Sequence, residues 1–438
     1  MNAAVLGSGG REHAIAWKLS KSEAIEKIYV IPGNGGTCSE SKCENVSIPL
    51  SDIEELSRFL IEKETDFVVV GPEDPLAGGI ADWLWSREIP VVGPKKAGAQ
   101  LEASKDLSKG FMKKYGVACA KSETFTNLDK ALDYIKRNPG PIVIKADGLA
   151  AGKGVVVAPN SAEAEKAVRS FMRDGLLGNA GKKVVIEEYL EGTECSILAA
   201  VSVTKDFTES GKSTIVPFVP ARDHKRLLDG AKGPNTGGMG AFAPADGITE
   251  ETMEQFESDI LKPTLDGLKK EGFDYRGFIF FGLMVTKSGP KLLEYNVRLG
   301  DPETQAVLPL MDFDFAEMCQ SILDGSLSEF PVKWKKGFVC APVAVSKGYP
   351  GEYEKGKPIK IDSKIISENN CQVFIAGGKI EQGVLKTSGG RVLAVSAFGS
   401  NLKEARHAAY KGMQGISFDG MFFRKDISMP GAADSKSF

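Results

Sequence analysis

Short apolar runs alternate with helical patterns over the first hundred residues of the chain. The runs AAVLG, KIYVI, DFVVVG and IPVVGP predict strands, and REHAIAWKLSK, DIEELSRFLIEKE and PEDPLAGGIADWLWSRE between them carry helical periodicity. Strands that alternate with helices form βαβ units, so we predict a parallel sheet over residues 1–101. Ligands bind such sheets at the carboxyl ends of the strands, where three glycine-rich corners lie: GSGGRE, PGNGGT and GPEDPL.

The pattern changes after residue 101. A helix (LEASKDLSKGFMKKYG) is followed by an apolar hairpin (PIVIKADGLAAGKGVVVA), a second helix (SAEAEKAVRSFM) and a strand (KVVIEEYL). Strand hairpins and one long helix, ETMEQFESDILKPTLDGLKKEG, then dominate, and short strands with the helix NLKEARHAAYKGM close the chain. We therefore predict a multidomain α/β and α+β protein. The expected domains are 1–101, 102–328 (with a small mobile lobe at about 120–190) and 329–427, before a tail at 428–438.

Composition narrows the class of protein. A chain of 438 residues is too long for one ordinary core, and its net charge of −3 gives no electrostatic reason to expect nucleic acid or an anionic membrane as a partner. The seven cysteines stand singly, with no CxxC pair, which favours a reduced cytoplasmic protein. The longest apolar run, GFIFFGLMV, is too short to span a bilayer. The three histidines are too far apart in sequence to suggest a histidine triad or a histidine metal cluster.

The stretch KLLEYNVRL is an apolar strand with polar residues at every second position. Side chains alternate across a strand, so Glu294, Asn296 and Arg298 share one face, and the apolar residues at 293, 295, 297 and 299 predict a core face. An acid and an amide supply only oxygen ligands, which suits Mg²⁺. Arg298 could then neutralise a phosphoryl group in transfer. We predict a site for metal and phosphate here.

The corner GSGGREHA is close to a dinucleotide-binding fingerprint but departs from it twice. Glu12 stands where the pattern needs glycine, and the second strand leads to Pro32, Gly33 and Asn34 rather than to an acid for the ribose. A glycine-rich turn into a helix still offers backbone N–H groups to a phosphate, with Arg11 adding charge. The alternative is a tight turn without a ligand.

Two further glycine-rich segments carry charges. KADGLAAGKG at 145–154 is one residue short of a Walker loop and has Gly154 where Ser or Thr is required, but Lys145 and Lys153 could still contact phosphates. DHKR, followed by GPNTGGMGAF, offers many N–H groups to a carboxylate or a phosphate. The alternatives are a surface hairpin loop and a solvated charged face, and His224 alone favours a structural role.

The stretch VVIEEYLEGTE ends a strand in acids. Glu187, Glu188 and Glu194 could hydrogen-bond an adenine amino group and ribose hydroxyls. A solvated acidic turn is an equally good interpretation of this stretch alone.

Taken together, the motifs identify a known family. GGREHA, PGNGGT, GPEDPL, KADGLAAGKGV, DHKR, GPNTGGMGAF, NVRLGDPETQ and GGRVLAV resemble those of the ATP-grasp ligases, and within them the phosphoribosylamine–glycine ligase (glycinamide ribonucleotide synthetase) family. The resemblance extends to about residue 427. It implies an ATP-grasp fold with an N-terminal Rossmann-like domain and a small C-terminal α+β domain. It also implies ATP-dependent joining of glycine to 5-phosphoribosylamine through a glycyl phosphate, with no protein nucleophile.

The resemblance also implies roles for individual residues. The ATP site would comprise Lys105, Lys145, Gly152 and Lys153 at the phosphates, Glu187, Glu188 and Leu190 at adenine, and Glu194 at the ribose. Mg²⁺ or Mn²⁺ would be bound by Glu294 and Asn296; the preceding strand, FFGLMV, has no acid for a second ligand. Glycine and the γ-phosphate would be surrounded by Asp223, Lys225, Gly237, Gly238 and Arg298. The phosphoribosylamine site would comprise Gly9, Gly10, Arg11, Glu12, Asn34, Gly71, Pro72 and Glu73.

Three other functions are weighed against this one. A related ligase, such as a biotin-dependent carboxylase subunit or a carboxylating enzyme of the purine pathway, would not release phosphate in response to glycine. A dinucleotide-dependent dehydrogenase would need the missing glycine and ribose acid. A non-catalytic nucleotide-binding regulator would not need the row of polar residues from Glu294 to Arg298. We expect a cytoplasmic monomer whose partners are small molecules, with no nucleic acid or membrane partner.

Overall fold

The computed structural model describes residues 1–148 and 154–429, and it begins with the expected parallel sheet. All neighbouring strands of this sheet run parallel, which confirms the prediction from the alternating pattern. In spatial order the strands are Cys43–Asn45, Lys27–Pro32, Asn2–Gly7, Phe67–Val70 and Val91–Val92. The edge strand at 43–45 was not predicted, because three residues are too few to show a period.

Helices cover this sheet and lead away from it, and two of the predicted helices are each broken in two. The stretch at 72–88 divides at Gly79, whose φ of 97° is left-handed. The stretch at 101–116 divides at Ser104, whose hydroxyl accepts the Leu107 N–H and so starts a new helix. The helices are Gly10–Ser20, Ile53–Glu62, Glu73–Gly78, Ile80–Trp85, Lys96–Ala103 and Lys105–Tyr115.

The small lobe is an antiparallel sheet covered by two helices. Its strands in spatial order are Ser122–Phe125, Val184–Glu188, Ile142–Ala146 and Val155–Ala158, and its helices are Leu128–Arg137 and Ser161–Met172. Apolar side chains from both layers form a separate core, in which Ile144, Val168 and Ile186 are fully buried. The lobe is therefore packed as a unit of its own, and its movement stays a prediction.

A second antiparallel sheet carries the strand with alternating polar residues. Its strands in spatial order are Thr214–Pro217, Thr193–Val203, Tyr275–Thr286 and Gly289–Asn296. Glu294 pairs with Gly282 but Leu292 pairs with Leu283, so Leu293 forms a β-bulge between them. The prediction that Leu293 belongs to the core is therefore wrong, because this residue is half-buried. The alternation holds on either side of the bulge, and Tyr295 is buried as expected.

Helices surround this sheet as well. The long helix predicted at 251–272 is continuous over 250–270 and contains a π-helical segment at its centre. The helix beginning at Phe315 was not predicted; the side chain of Asp314 caps it by accepting two backbone N–H groups. The helices are Lys205–Glu209, Glu250–Phe256, Glu257–Leu261, Lys262–Lys270, Glu303–Val307 and Phe315–Asp324.

The C-terminal strands share a sheet with the middle of the chain. In spatial order the strands are Arg222–Asp223, Gly240–Ala243, Phe338–Val345, Arg391–Gly399 and Cys371–Ile375, and all pairs are antiparallel. Two of the five strands lie before the expected boundary at 328/329. The helix Leu402–Met413 packs against this sheet, and Ser363–Glu368 lies nearby. The glycine-rich loop that precedes residue 240 is therefore tied to the C-terminal region.

Three short ribbons complete the described strands: Arg226–Leu228 with Lys232–Asn235, Lys360–Ile361 with Ile416–Ser417, and Gly378–Glu381 with Val384–Thr387. Within residues 1–148 and 154–429, no helix is both long enough and apolar enough to cross a membrane.

Two neighbouring strands of the shared sheet, Gly240–Ala243 and Phe338–Val345, pack closely at Gly240. Gly240 has φ of 146°, and a Cβ there would lie 2.9 Å from the Cα of Pro342 on the next strand. Gly116 also has positive φ, but a Cβ there would meet nothing within 4 Å. We expect Gly240→Ala to lower stability by at least about 2 kcal/mol, against about 1 kcal/mol for the control Gly116→Ala. Equal shifts of the thermal unfolding midpoint in the two variants would contradict close packing of these strands.

Candidate active site

A cavity of about 730 Å³ lies where the N-terminal sheet, the small lobe, the central sheet and the C-terminal strands meet. Most of the residues predicted for the site line it. They are Arg11, Glu73, Lys105, Lys145, Glu187, Glu188, Leu190, Glu194, Asp223, Lys225, Gly237, Glu294, Asn296 and Arg298. Segments far apart in sequence therefore converge on one cavity.

The remaining predicted residues fall into two groups. Gly152 and Lys153 lie outside the described residues. The others do not line the cavity: Gly9, Gly10, Glu12, Asn34, Gly71, Pro72 and Gly238. Gly238 supports the site from behind, because a Cβ there would lie 2.7 Å from a carboxylate oxygen of Asp223.

Glu294 and Asn296 present oxygen atoms to the cavity from the strand with alternating polar residues. In the described part of the chain, no hydrogen bond or ion pair engages the Glu294 carboxylate. Burial alone would raise the pKa of Glu294, but Lys225, Lys145 and other cations nearby outweigh burial and lower it. The carboxylate therefore stays charged, and this pair of oxygen donors fits a hard divalent cation. The described residues hold no group of three or more acidic, histidine or cysteine side chains that would complete a metal site.

Arg298 is held by two carboxylates. Its Nη2 lies 2.8 Å from Oε1 of Glu102, and its Nε lies 3.3 Å from Oε2 of Glu73. A longer contact of 3.5 Å joins Nη2 to Oδ1 of Asn296. Glu102 was missed by the sequence reasoning, because an acid near the end of a helix is usually solvated. Its burial beside Arg298 depends on how the helix packs.

Glu187 lies between two lysines. Its carboxylate is 3.0 Å from Nζ of Lys145 and 3.1 Å from Nζ of Lys109, and all three side chains are buried. Burial lowers the pKa of Lys109, and Glu187 opposes that shift. The neighbouring carboxylate, that of Glu188, accepts the Lys121 N–H at 2.8 Å. Lys109 was also missed, although its position four residues after Lys105 places both lysines on one side of a helix.

A third ion pair joins Lys225 to Glu194, with 2.8 Å between Nζ and Oε2. The pKa of Lys225 is raised, mainly by Glu194 and further by Glu294 and Asp223, although burial opposes the shift. The lysine is therefore a permanent cation beside the free carboxylate of Glu294.

The start of the first helix is already bound by acids of the chain itself. Glu12 accepts the Gly9 N–H at 2.5 Å and pairs with Nε of Arg11 at 2.6 Å, and Asp301 accepts the Arg11 N–H at 3.3 Å. A Cβ at Gly71 would lie 2.0 Å from a Glu12 oxygen, so the glycine-rich corners make room for this carboxylate. The expectation that this turn offers its N–H groups to a phosphate is therefore wrong for Gly9 and Arg11, whose N–H groups already have acidic acceptors.

Asn34 is a structural clamp. Its Nδ2 donates to the carbonyl oxygens of Ser8 (2.9 Å) and Ile375 (2.7 Å), and its Oδ1 accepts the N–H groups of Gly36 and Thr37. The side chain is buried and fully bonded to protein atoms. Its amide therefore ties the N-terminal domain to the C-terminal strands instead of facing the cavity.

The C-terminal region contributes two further residues to the cavity wall. Nη1 of Arg391 donates to the carbonyl oxygens of Gly237 (2.6 Å) and Asp301 (2.7 Å), and the hydroxyl of Tyr349 accepts the Gly237 N–H at 2.9 Å. The motif GGRVLAV around Arg391 contributes to the family resemblance, but the sequence alone indicates no role for that arginine. These bonds position the glycine-rich loop from the C-terminal side.

Family profiles match nearly the whole chain in three blocks. They are described as phosphoribosylglycinamide synthetase N domain (1–102), ATP-grasp (A) domain (103–304) and C domain (339–430). The chain belongs to the phosphoribosylglycinamide synthetase family. The resemblance noted in the sequence motifs and the ATP-grasp fold class is thereby confirmed.

Individual members of the phosphoribosylglycinamide synthetase family are similar to this chain in sequence and in structure. A phosphoribosylamine–glycine ligase of Clostridium acetobutylicum is 52% identical over 98% of this chain and 99% of its own length. A bifunctional purine biosynthetic protein of Schizosaccharomyces pombe is 46% identical over 97% of the chain, which spans 53% of that relative. The crystal structure of phosphoribosylamine–glycine ligase from Thermotoga maritima has a TM-score of 0.83 at 35% identity, covering 98% of this chain and 100% of that one.

His224 stands between two residues of the cavity but is itself buried, with 1% of its surface exposed. Its Nε2 accepts the Ser428 N–H at 3.4 Å. Burial, followed by the charge of Arg424, lowers the pKa of His224 from 6.5 to about 3. The histidine is therefore neutral in the folded protein, which agrees with the expected structural role.

This shift leads to a pH dependence of stability. Below pH 6.5 the unfolded chain gains a proton at His224 that the folded protein excludes, so stability is lost as the pH falls toward about 3. Between pH 7 and pH 5 the loss from this group is about 2 kcal/mol. We expect His224→Gln to have a smaller decrease in thermal midpoint between these pH values than the unmodified protein. His407→Gln, at an exposed site, serves as the control. An unchanged decrease in His224→Gln would contradict the assignment.

Proposed function

We infer that the chain joins glycine to 5-phosphoribosylamine with the conversion of ATP to ADP and phosphate, giving glycinamide ribonucleotide for purine biosynthesis. The observation that carries this inference is the single cavity, lined at once by the lysines assigned to ATP, the oxygen pair assigned to the metal and residues of the N-terminal domain. As expected from the sequence, we also propose that the enzyme acts as a monomer.

ATP is proposed to bind between the small lobe and the central sheet. Lys105 and Lys145 would contact its phosphates, together with Gly152 and Lys153. The carboxylates of Glu187 and Glu188 already have protein partners, so the adenine contacts are assigned to the backbone at 188–190 and to the Leu190 side chain. Glu194 would accept hydrogen bonds from the ribose while keeping its pair with Lys225.

A divalent cation, Mg²⁺ or Mn²⁺, is proposed at Glu294 and Asn296. When bound, the cation offsets the negative charge of the triphosphate and of the glycine carboxylate. Two protein oxygens fit a cation that takes its remaining ligands from nucleotide phosphates and water.

The chemistry is proposed to run in two steps. A carboxylate oxygen of glycine attacks the γ-phosphorus, the bond from that phosphorus to the bridging oxygen breaks, and ADP leaves. The ribosylamine nitrogen then attacks the glycyl carbon, loses a proton and displaces phosphate. Asp223 would hold the glycine ammonium group, while Arg298 and Lys225 would neutralise charge that develops during the first step.

The phosphoribosylamine site is proposed on the N-terminal side of the cavity, with Arg11 and Glu73 facing the substrate. Gly9, Gly10, Glu12, Asn34, Gly71 and Pro72 would shape that wall from behind it. Gly237 and Gly238 would bring the backbone close to glycine.

Omitting each substrate tests the reaction. Phosphate release should require glycine, ATP and phosphoribosylamine together, and bicarbonate should not replace glycine. With glycine and ATP alone, hydroxylamine should trap the activated glycine as a hydroxamate. Phosphate release that is independent of glycine would contradict the proposed function.

Variants test the proposed metal ligands. Glu294→Gln and Asn296→Ala should each raise the Mg²⁺ concentration needed for half-maximal turnover roughly tenfold or more, because each removes or weakens one oxygen ligand. Glu44→Gln, which removes an exposed ion pair with Lys27, is the control. Unchanged Mg²⁺ titrations in both variants would refute the assignment.

A further inference from the structure

We propose that Glu102 is a positioning residue for the reaction and acts by holding Arg298 at the end of the strand with alternating polar residues. The inference rests on the proposed role of Arg298. Glu102 belongs to the helix Lys96–Ala103, close to the sequence boundary between the N-terminal and ATP-grasp domains.

The two oxygens of Glu102 bind two consecutive residues. Oε2 accepts the Val297 N–H at 2.7 Å, and Oε1 accepts Nη2 of Arg298 at 2.8 Å. Only 6% of the Glu102 side chain is exposed. One buried carboxylate therefore determines both the course of the backbone and the direction of the guanidinium.

This double contact lies where the strand stops. The ladder of the strand Gly289–Asn296 ends at Asn296, which pairs with Phe280. The N–H of the next residue, Val297, is buried and needs another acceptor, which Glu102 supplies. Without that carboxylate, the segment would have neither its backbone bond nor its nearest charge partner.

Glu73 does not duplicate this function. Its contact with Arg298 is longer, at 3.3 Å, and 32% of its side chain is exposed. It has no hydrogen bond to the backbone of residues 297–298 in the described structure. Glu102 is therefore the fixed partner of Arg298, and Glu73 is the partner that an arriving substrate can reach.

The ATP side of the cavity is held independently of the Glu102 carboxylate. The hydroxyl of Ser104 donates to Asp147 at 3.1 Å, and Nζ of Lys105 donates to the Gly148 carbonyl at 3.1 Å. An amide at residue 102 would leave these contacts in place. Loss of the carboxylate should therefore affect turnover more than the KM for ATP.

A double-mutant cycle on the full-length enzyme tests the proposal. Glu102→Gln should lower kcat roughly tenfold to a hundredfold, because a misplaced group costs this much, and should change the KM for ATP less than about twofold. In the Arg298→Ala background, Glu102→Gln should change kcat less than about twofold, because its effect acts through Arg298. Glu102→Asp keeps the charge but is one methylene shorter, so its kcat should lie between those of the unmodified enzyme and Glu102→Gln. It replaces Glu102→Gln in the cycle if that variant does not fold.

The control is Asp274→Asn, which removes the acid that pairs with Lys95 and Arg276 near the start of the same helix, away from the cavity. Asp274→Asn should leave kcat unchanged, even if it lowers the thermal midpoint as much as Glu102→Gln does. Normal kcat in Glu102→Gln, or an equal effect with and without Arg298, overturns the inference. If Arg298→Ala itself turns over normally, the failure lies in the proposed role of Arg298 instead.

Discussion

Burying charge next to a nucleotide requires that the protein compensate that charge, and this constraint organises the cavity. Taking an ion out of water costs several kcal/mol unless a partner offsets the loss. Lys145 is paired with Glu187, Lys225 with Glu194, and Arg298 with Glu102. Among the described residues, Glu294 is an acid of the cavity with cations nearby but no ion pair of its own. This pattern supports the proposal that Glu294 binds a cation that arrives with the nucleotide.

Compensation of this kind depends on contacts between distant parts of the chain. Arg11 of the N-terminal domain donates to the Leu299 carbonyl beyond the central strand, and Arg391 of the C-terminal region donates to the carbonyl of Gly237. Asn34 joins the first and last regions through Ile375. The site is therefore complete only when these regions have docked on one another. A hydrophobic core that crosses the expected domain boundary also holds these regions together. Apolar residues of the parallel sheet and of the central sheet pack in this one core.

Local periodicity and long motifs were enough to predict the parallel sheet and much of the cavity wall. Alternation along the strand placed Glu294 and Asn296 on one face, and both line the cavity. The alternation failed at Leu293, because a bulge depends on the register of the neighbouring strand. Lys109 and Glu102 were missed for a related reason: burial of a charged side chain is decided by the partner that packing brings to it. Glu12 was recognised as a departure from a fingerprint, but only the structure shows its carboxylate capping its own helix.

The sheet shared by the middle and the end of the chain also limits how the protein can be divided. A cut at 328/329 would remove the neighbour of the strand Gly240–Ala243 and leave an open edge. The released C-terminal piece would lose two strands and expose Phe338–Val345 along its own edge. Such edges pair readily with other chains, so fragments made there would tend to aggregate. A usable division would have to keep residues 222–243 with the C-terminal strands, which means that the modules of this fold do not coincide with continuous stretches of sequence.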